Sequence, residues 1–295
     1  MNANSAIQEV LELLDLEKIE ENIFRGKSSK DRVQRVFGGQ VLGQALVAAG
    51  RTVEGRVCHS LHAYFLRAGD PKVPILYEVD RSRDGTSFTS RRVVAIQHGR
   101  AIFTLEASFQ LHEPGYEHAF EMPKAPDPES LESEETLRAK IAGRLSEDVR
   151  ASALRLRPIE VRPVEPRAYF APEKRPPQEM LWIRAAGRLP DDPAFHQCLL
   201  AYASDMPLLD AGMLPHGIGW FDDKVQLASL DHAMWFHRPF RVDDWLLYVL
   251  DSPSASGARS LNRGTLFTRD GRLIASVAQE GLMRPRDDRL RKSAG

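Results

Sequence analysis

Cysteine is scarce: the 295 residues hold two, Cys58 and Cys198. Both sit in apolar stretches, Val57-Cys58-His59 and Gln197-Cys198-Leu199, and read as buried free thiols. They supply no disulfide framework and no CxxC pair for redox or zinc chemistry. Long hydrophobic runs are missing as well. No stretch approaches the ~18 apolar residues of a membrane span, so no membrane insertion is expected. An excess of charge of one sign is also lacking, with Lys+Arg at 40 against Asp+Glu at 41. That removes the global electrostatic case for nucleic acid or an anionic membrane. The N-terminal stretch carries Glu9, Glu12, Asp15 and Glu17 within an apolar periodicity, unlike a signal peptide. The end Lys292-Ser293-Ala294-Gly295 is not a Ser-Lys-Leu tail, so a cytoplasmic location is the expectation. Familiar catalytic signatures are absent. There is no Walker A loop. Gly85-Thr86-Ser87-Phe88-Thr89 lacks the second glycine of a nucleophile elbow. Gly217-Ile218-Gly219 lacks the third glycine of a dinucleotide fingerprint.

What remains is ordinary globular material, 42% apolar and 27% charged. Its length suits two domains. Helical spacing of Ile7, Val10, Leu11 and Leu14 predicts a helix over Ala6–Leu16, followed by a short strand over Ile19–Arg25. Gly38-Gly39 opens a second helix, Phe37–Ala49. The period then changes to two. Val57–Leu66, Ile75–Arg81, Ser87–Gln97 and Ala101–Gln110 read as strands separated by turn residues. The composition shifts between His112 and Pro158, where prolines and acids collect. This stretch reads as a linker whose Ser133–Arg155 half forms an exposed helix. The plan then repeats. Ile159–Val164 and Met180–Arg188 are strand-like. Asp192 caps a helix with Pro193 at its first position. Strands over Val225–Phe236, Trp245–Asp251, Gly257–Thr268 and Leu273–Leu282 follow. The expected division is 1–112, a linker over 113–157, and 158–295.

The halves share letters in order. Ser60-Leu61 matches Ser229-Leu230, Tyr77 and Asp80 match Tyr248 and Asp251, and Arg91 matches Arg263. A duplication explains this most simply. One helix followed by four antiparallel strands, twice, is an α+β plan of helices wrapped by sheets.

Asp205 stands out among the carboxylates. It continues the inward stripe Phe195, Cys198, Leu199 and Tyr202 of the second-half helix. It also lies near the helix C-terminus, where the dipole disfavours an anion by ~0.3–1 kcal/mol. The alternatives are a polar anchor or a general base. Gln279 ends the inward row Leu273, Ala275 and Val277 of a strand. It either satisfies a strand end or holds a water. Ser229 opens a strand, where serine is usually structural. His59, His62, His232 and His237 flank equivalent strands and offer a base or core polar groups. His59 and His62, three apart on a strand, make a poor metal pair. Trp235-Phe236 fills the core or lines an acyl tunnel. Arg91, Arg92 and Arg263 suit a solvated or ion-paired sheet face better than a phosphate site.

At these residues the chain resembles acyl-CoA thioesterase II, the TesB-type family. The resemblance runs from Leu16-Glu17 through Phe37-Gly38-Gly39-Gln40-Val41 and His59-Ser60-Leu61-His62-Ala63-Tyr64-Phe65-Leu66-Arg67. It continues through Asp84-Gly85, Ser87-Phe88, Ala203-Ser204-Asp205, Pro215-His216-Gly217-Ile218-Gly219 and Leu230-Asp231-His232-Ala233-Met234-Trp235-Phe236-His237 to Gln279-Glu280-Gly281. It implies a double-hotdog fold and hydrolysis of acyl-CoA to free acid and CoA. The family's water-binding acid falls on Asp205, its hydroxyl residue on Ser229 and its glutamine on Gln279. No metal or bound cofactor is implied, and self-association into a homo-oligomer is. A hydratase acting on acyl-CoA, with an Asp/His pair, and a non-catalytic acyl-CoA-binding regulator are the competing readings.

Overall fold

Alternation at period two predicts strands from Val57 to Gln110 and again after Val225, and the computed structural model places strands in both stretches. The structure describes residues 3–28, 35–145, 147–166, 172–219 and 224–286. The first half holds α1 (Ala3–Leu14), β1 (Glu17–Glu20), β2 (Ile23–Gly26), α2 (Gly38–Gly50), β3 (Val57–Phe65), β4 (Ile75–Asp84), β5 (Phe88–Gln97) and β6 (Arg100–Gln110). Two helices follow, α3 (Glu134–Ile141) and α4 (Glu147–Ala153). The second half holds β7 (Ile159–Pro163), β8 (Gln178–Ala185), α5 (Pro193–Ser204), α6 (Asp210–Met213), β9 (Val225–Ser229), β10 (Asp231–Phe236), β11 (Leu246–Ser256), β12 (Arg259–Thr268) and β13 (Leu273–Pro285).

The strands join one antiparallel sheet in the order β1-β2-β4-β5-β6-β3-β10-β13-β12-β11-β8-β7, with β9 against the far end of β13. Read from the middle, the order β3-β6-β5-β4-β2 is matched by β10-β13-β12-β11-β8. The two central strands pair with each other, so neither leaves an open edge. The long helices lie antiparallel under this sheet. A Cβ at Gly39 would fall 2.3 Å from the Tyr202 carbonyl oxygen, and one at Gly43 would fall 3.1 Å from that of Cys198. Glycine at these positions is what lets the two backbones close. One core runs through both halves, joining Leu42, Leu46, Leu61 and Leu105 to Leu199, Leu246, Leu266 and Ala275. The architecture is α+β, helices wrapped by antiparallel strands.

Strand pairing refines the internal matches. Tyr77 and Tyr248 do correspond: both are fully buried, and their hydroxyls donate to Gln44 Oε1 at 2.6 Å and to the Ser204 carbonyl at 3.1 Å. Asp80 pairs with Arg92 and Asp251 with Arg263, so the counterpart of Arg263 is Arg92, not Arg91. Arg91 faces inward and is buried. It donates to Thr52 Oγ1 at 2.8 Å and to Asp84 Oδ1 at 2.6 Å, tying the β4–β5 hairpin to the end of α2. The expected solvated or ion-paired face thus holds for Arg92 and Arg263, while Arg91 is ion-paired with Asp84 but buried on the inner face. Following the ladder on, Arg92 pairs with Glu106 and Arg263 with Ala278. His62 opposes that Glu106 and Ala233 opposes that Ala278. Leu61 is thus the counterpart of His232, and the match of Ser60-Leu61 with Ser229-Leu230 is out of register.

The stretch expected as one exposed helix over Ser133–Arg155 is two. Ser133 caps α3 by accepting the Thr136 amide, and a tight turn over Ala142–Arg144, with Gly143 inside it, separates α3 from α4. The pair is docked, not exposed. Buried Arg138 in α3 donates to the Ala153 carbonyl at the end of α4 at 3.2 Å. The preceding segment also packs down, with Trp182 Nε1 donating to the Pro126 carbonyl at 2.8 Å.

Candidate active site

Asp192 accepts the Ala194 amide at 3.0 Å and Pro193 takes the first helical position, so α5 starts where its cap requires. Twelve residues later the helix delivers Asp205 as its C-cap, 8% exposed. A carboxylate there opposes the dipole of its own helix. The antiparallel neighbour supplies the compensation. Gly38 opens α2 beside Asp205, so close that a Cβ on Gly38 would meet Asp205 Oδ2 at 2.8 Å. The positive end of α2 therefore faces the anion that α5 disfavours.

β9 and β13 bring the other two residues. Ser229 Oγ donates to Asp205 Oδ1 at 3.0 Å, and Gln279 Nε2 donates to Ser229 Oγ at 2.8 Å. The three sequence candidates thus form one hydrogen-bonded row. Gln279 is 1% exposed, and Ser229 is part-buried beside it.

A break in the predicted strand Val225–Phe236 makes this possible. Ser229 pairs with Gly281 and Ala233 with Ala278, so one extra residue lies on this side of the ladder, at Leu230. Leu230 donates its amide to Glu280 and accepts from Phe65, bridging β13 and the end of β3. On a regular strand Ser229 and His232, three apart, would face opposite ways. The bulge puts both on the face of Gln279. His232 Nδ1 lies 2.6 Å from Gln279 Oε1, and its Nε2 lies 3.0 Å from Ser204 Oγ.

The remaining histidines stand apart from this row. His59 meets Ser108 Oγ at 2.8 Å and His237 meets Ser276 Oγ at 2.8 Å. His62 is exposed and lies edge-on to Trp235. Trp235 is itself 37% exposed, while Phe236 is in the core. Cys58 and Cys198 are buried free thiols, and burial pushes Cys198 up to about 12. Neither is a nucleophile at neutral pH. Ser204, which sequence reasoning passed over, continues the row beyond His232. Its only sequence signal was its place next to Asp205.

A helix-wrapped antiparallel sheet carrying an acid, a hydroxyl and an amide on one row defines the class, and comparison with known proteins gives the family. The profile described as acyl-CoA thioesterase matches residues 149–282, and that of the acyl-CoA thioesterase N-terminal domain matches residues 28–110. Acyl-coenzyme A thioesterase 8 of Homo sapiens is 44% identical, covering 93% of this chain and 88% of its own. Acyl-CoA thioesterase 2 of Haemophilus influenzae is 41% identical, covering 94% of this chain and 98% of its own. The crystal structure of acyl-CoA thioesterase II TesB2 from Mycobacterium marinum superposes with a TM-score of 0.77 at 44% identity, covering 94% of this chain and 98% of that one. A hot-dog-fold protein of unknown function from Alicyclobacillus acidocaldarius, 18% identical with a TM-score of 0.73 and covering 94% of this chain and 98% of that one, shares the fold. The chain belongs to the acyl-CoA thioesterase family, whose members are thioester hydrolases, and its fold is the hotdog fold. Among the described residues no helix is long and apolar enough to cross a membrane.

Proposed function

We propose that this protein hydrolyses acyl-CoA to a free fatty acid and CoA by direct attack of a water activated at Asp205. The contact row Asp205–Ser229–Gln279 carries the reading. Asp205 takes a proton as the water oxygen bonds to the thioester carbon. Ser229 and Gln279 hold and orient that water. The tetrahedral intermediate then collapses, the C–S bond breaks, and the CoA thiolate leaves and takes up a proton. Helix N-terminal amides have no intrahelical acceptor, and Gly38-Gly39 at the start of α2 lie next to Asp205. They are the proposed donors to the thioester oxyanion. The scheme needs no metal, no bound cofactor and no covalent intermediate.

A hydratase would want a histidine on the acid. His232 Nδ1 is instead within hydrogen-bond reach of Gln279. The working plan of the chain remains 1–112 and 158–295 as hotdog units joined by 113–157. It is proposed to act in the cytoplasm as a homo-oligomer on acyl-CoA, without nucleic acid or membrane insertion.

The test is CoA release, followed with a thiol-reactive dye across a panel of acyl chain lengths, with an enoyl-CoA monitored for hydration in parallel. Thiol release from saturated acyl-CoA supports the proposal. Water addition to enoyl-CoA without thiol release, or binding with no turnover, refutes it. Mass spectrometry of protein mixed with substrate should show no acyl adduct on Ser229.

A further inference from the structure

Behind Gln279 the hydrogen-bonded row continues into the core through His232 and Ser204. His232 and Ser204 are fully buried, and Gln279 is buried with them. Burial lowers the imidazole from its ordinary value of 6.5, against the opposing effects of Asp205, Gln279 and Asp231. It is therefore neutral and carries one ring proton. That single proton leaves two ways to wire the row.

In the first, Ser204 Oγ–H donates to His232 Nε2, and His232 Nδ1–H donates to Gln279 Oε1. The Gln279 amide donates to Ser229, and Ser229 donates to Asp205 Oδ1. Each of the four contacts along the row then has a proton in it, and the 2.9 Å contact of Ser204 Oγ with the Ala201 carbonyl, itself a helix acceptor, is left without one. In the second, Ser204 donates to the Ala201 carbonyl, 2.9 Å away, and His232 Nε2–H donates to Ser204. Nδ1 then needs a donor, so the Gln279 amide must turn over to supply one. Ser229 is left to donate to the amide oxygen. Asp205 Oδ1 would then sit 3.0 Å from a hydroxyl oxygen with no proton between them. With Asp205 as the base, its Oδ1 accepts and cannot donate, so the contact with Ser229 selects the first wiring.

We infer that His232, held as its Nδ1–H tautomer by Ser204, is a positioning residue that fixes the Gln279 amide and so aims the Ser229 proton at Asp205 Oδ1. The inference rests on the reading of Asp205 as the base. With Oδ1 occupied by Ser229, Oδ2, on the Gly38 side, is the atom that takes the proton of the water. His232 touches neither water nor substrate. Packing alone does not call for an imidazole at this place, because the counterpart in the first half of the chain is Leu61, which is 0% exposed. An aliphatic side chain fills the same position between the same kinds of strand.

Two measurements test this. Long-range ¹H–¹⁵N spectra of imidazole-labelled protein, with His232 assigned through the signal lost in His232→Asn, report the tautomer directly. The expected pattern is a protonated Nδ1, and a protonated Nε2 overturns the inference. In steady-state kinetics, His232→Leu should lower kcat roughly tenfold with KM little changed. His232→Asn places an amide N–H where Nδ1–H stood and should restore most of kcat. His232→Gln reaches toward Ser204 and should not. Normal kcat in His232→Leu, or no advantage of Asn over Leu at equal thermal stability, overturns it. Asp205→Asn assayed alongside separates the two levels. If it turns over normally, the base reading fails. If it is inactive while His232→Leu is normal, only the positioning role fails. If His232→Leu does not fold, the tautomer of the wild type still decides.

Discussion

Ser229 gives its single proton to a carboxylate oxygen and accepts one from the Gln279 amide nitrogen, so the two contacts fix each other. Truncating it or Gln279 should therefore cost turnover without acting independently. Ser229→Ala and Gln279→Ala are each expected to lose less than Asp205→Asn, and the double variant to lose little more than the worse single one. Multiplying losses in the double variant would show that the two residues act on different steps. Gly38 is the other sensitive residue. Its Cβ would come within 2.8 Å of Asp205 Oδ2 and 2.9 Å of the Phe65 ring. Gly38→Ala should displace the carboxylate and cut kcat by up to roughly 10²-fold. A normal kcat in that variant would show that Oδ2 tolerates displacement. Asp205 and Gln279 were legible because each is a polar residue at the end of an apolar row. Ser229 was not, since a strand serine is ordinary. Its place in the row depends on a bulge at Leu230 that hydrophobic alternation does not reveal.

At the scale of elements, the approach of α2 to α5 matters most. A Cβ on Gly39 would fall 2.3 Å from the Tyr202 carbonyl oxygen, and a backbone atom cannot move aside as a side chain can. Gly39→Ala should destabilise the fold by about 1–3 kcal/mol, read as a lowered denaturant midpoint. An unchanged midpoint would mean the helices are not held at this spacing. The start of α5 was readable from Asp192 and Pro193, because capping chemistry is local. The docking of α3 and α4 was not. Glu134 and Arg138 look like surface charges in sequence, yet both are buried, paired with each other, and Arg138 donates to the Ala153 carbonyl. Arg269 ion-pairs with Asp127 and Glu129 across 142 and 140 residues. Such pairs are invisible to any local pattern.

For the whole molecule, the mirrored strand order explains why letters repeat while chemistry does not. The inward residues diverged: Arg91 stands where Asn262 does, and Leu61 where His232 does. Only one of the two related places assembles the acid, hydroxyl and amide. Four histidines also set how the fold responds to pH. Burial lowers His59, His196, His232 and His237 from the ordinary 6.5. They hold a proton less readily in the fold than in the unfolded chain, which takes up protons as pH falls through that value. Stability is thus fully present above about pH 6.5 and declines below it. Asp84, held down by Arg91, adds a further loss below the ordinary carboxylate value of 3.8. A denaturant midpoint that stays flat from about pH 8 to 5 would contradict this. The proposed self-association predicts a mass in light scattering above the 33.2 kDa of one chain. The central claim concerns one carboxylate, and turnover of Asp205→Asn tests it most directly. The substitution keeps the shape and the Ser229 contact but removes the base. Melting behaviour should match the wild type while CoA release falls by about 10²–10⁴-fold. Near-normal CoA release from a folded Asp205→Asn protein would contradict water activation at this site.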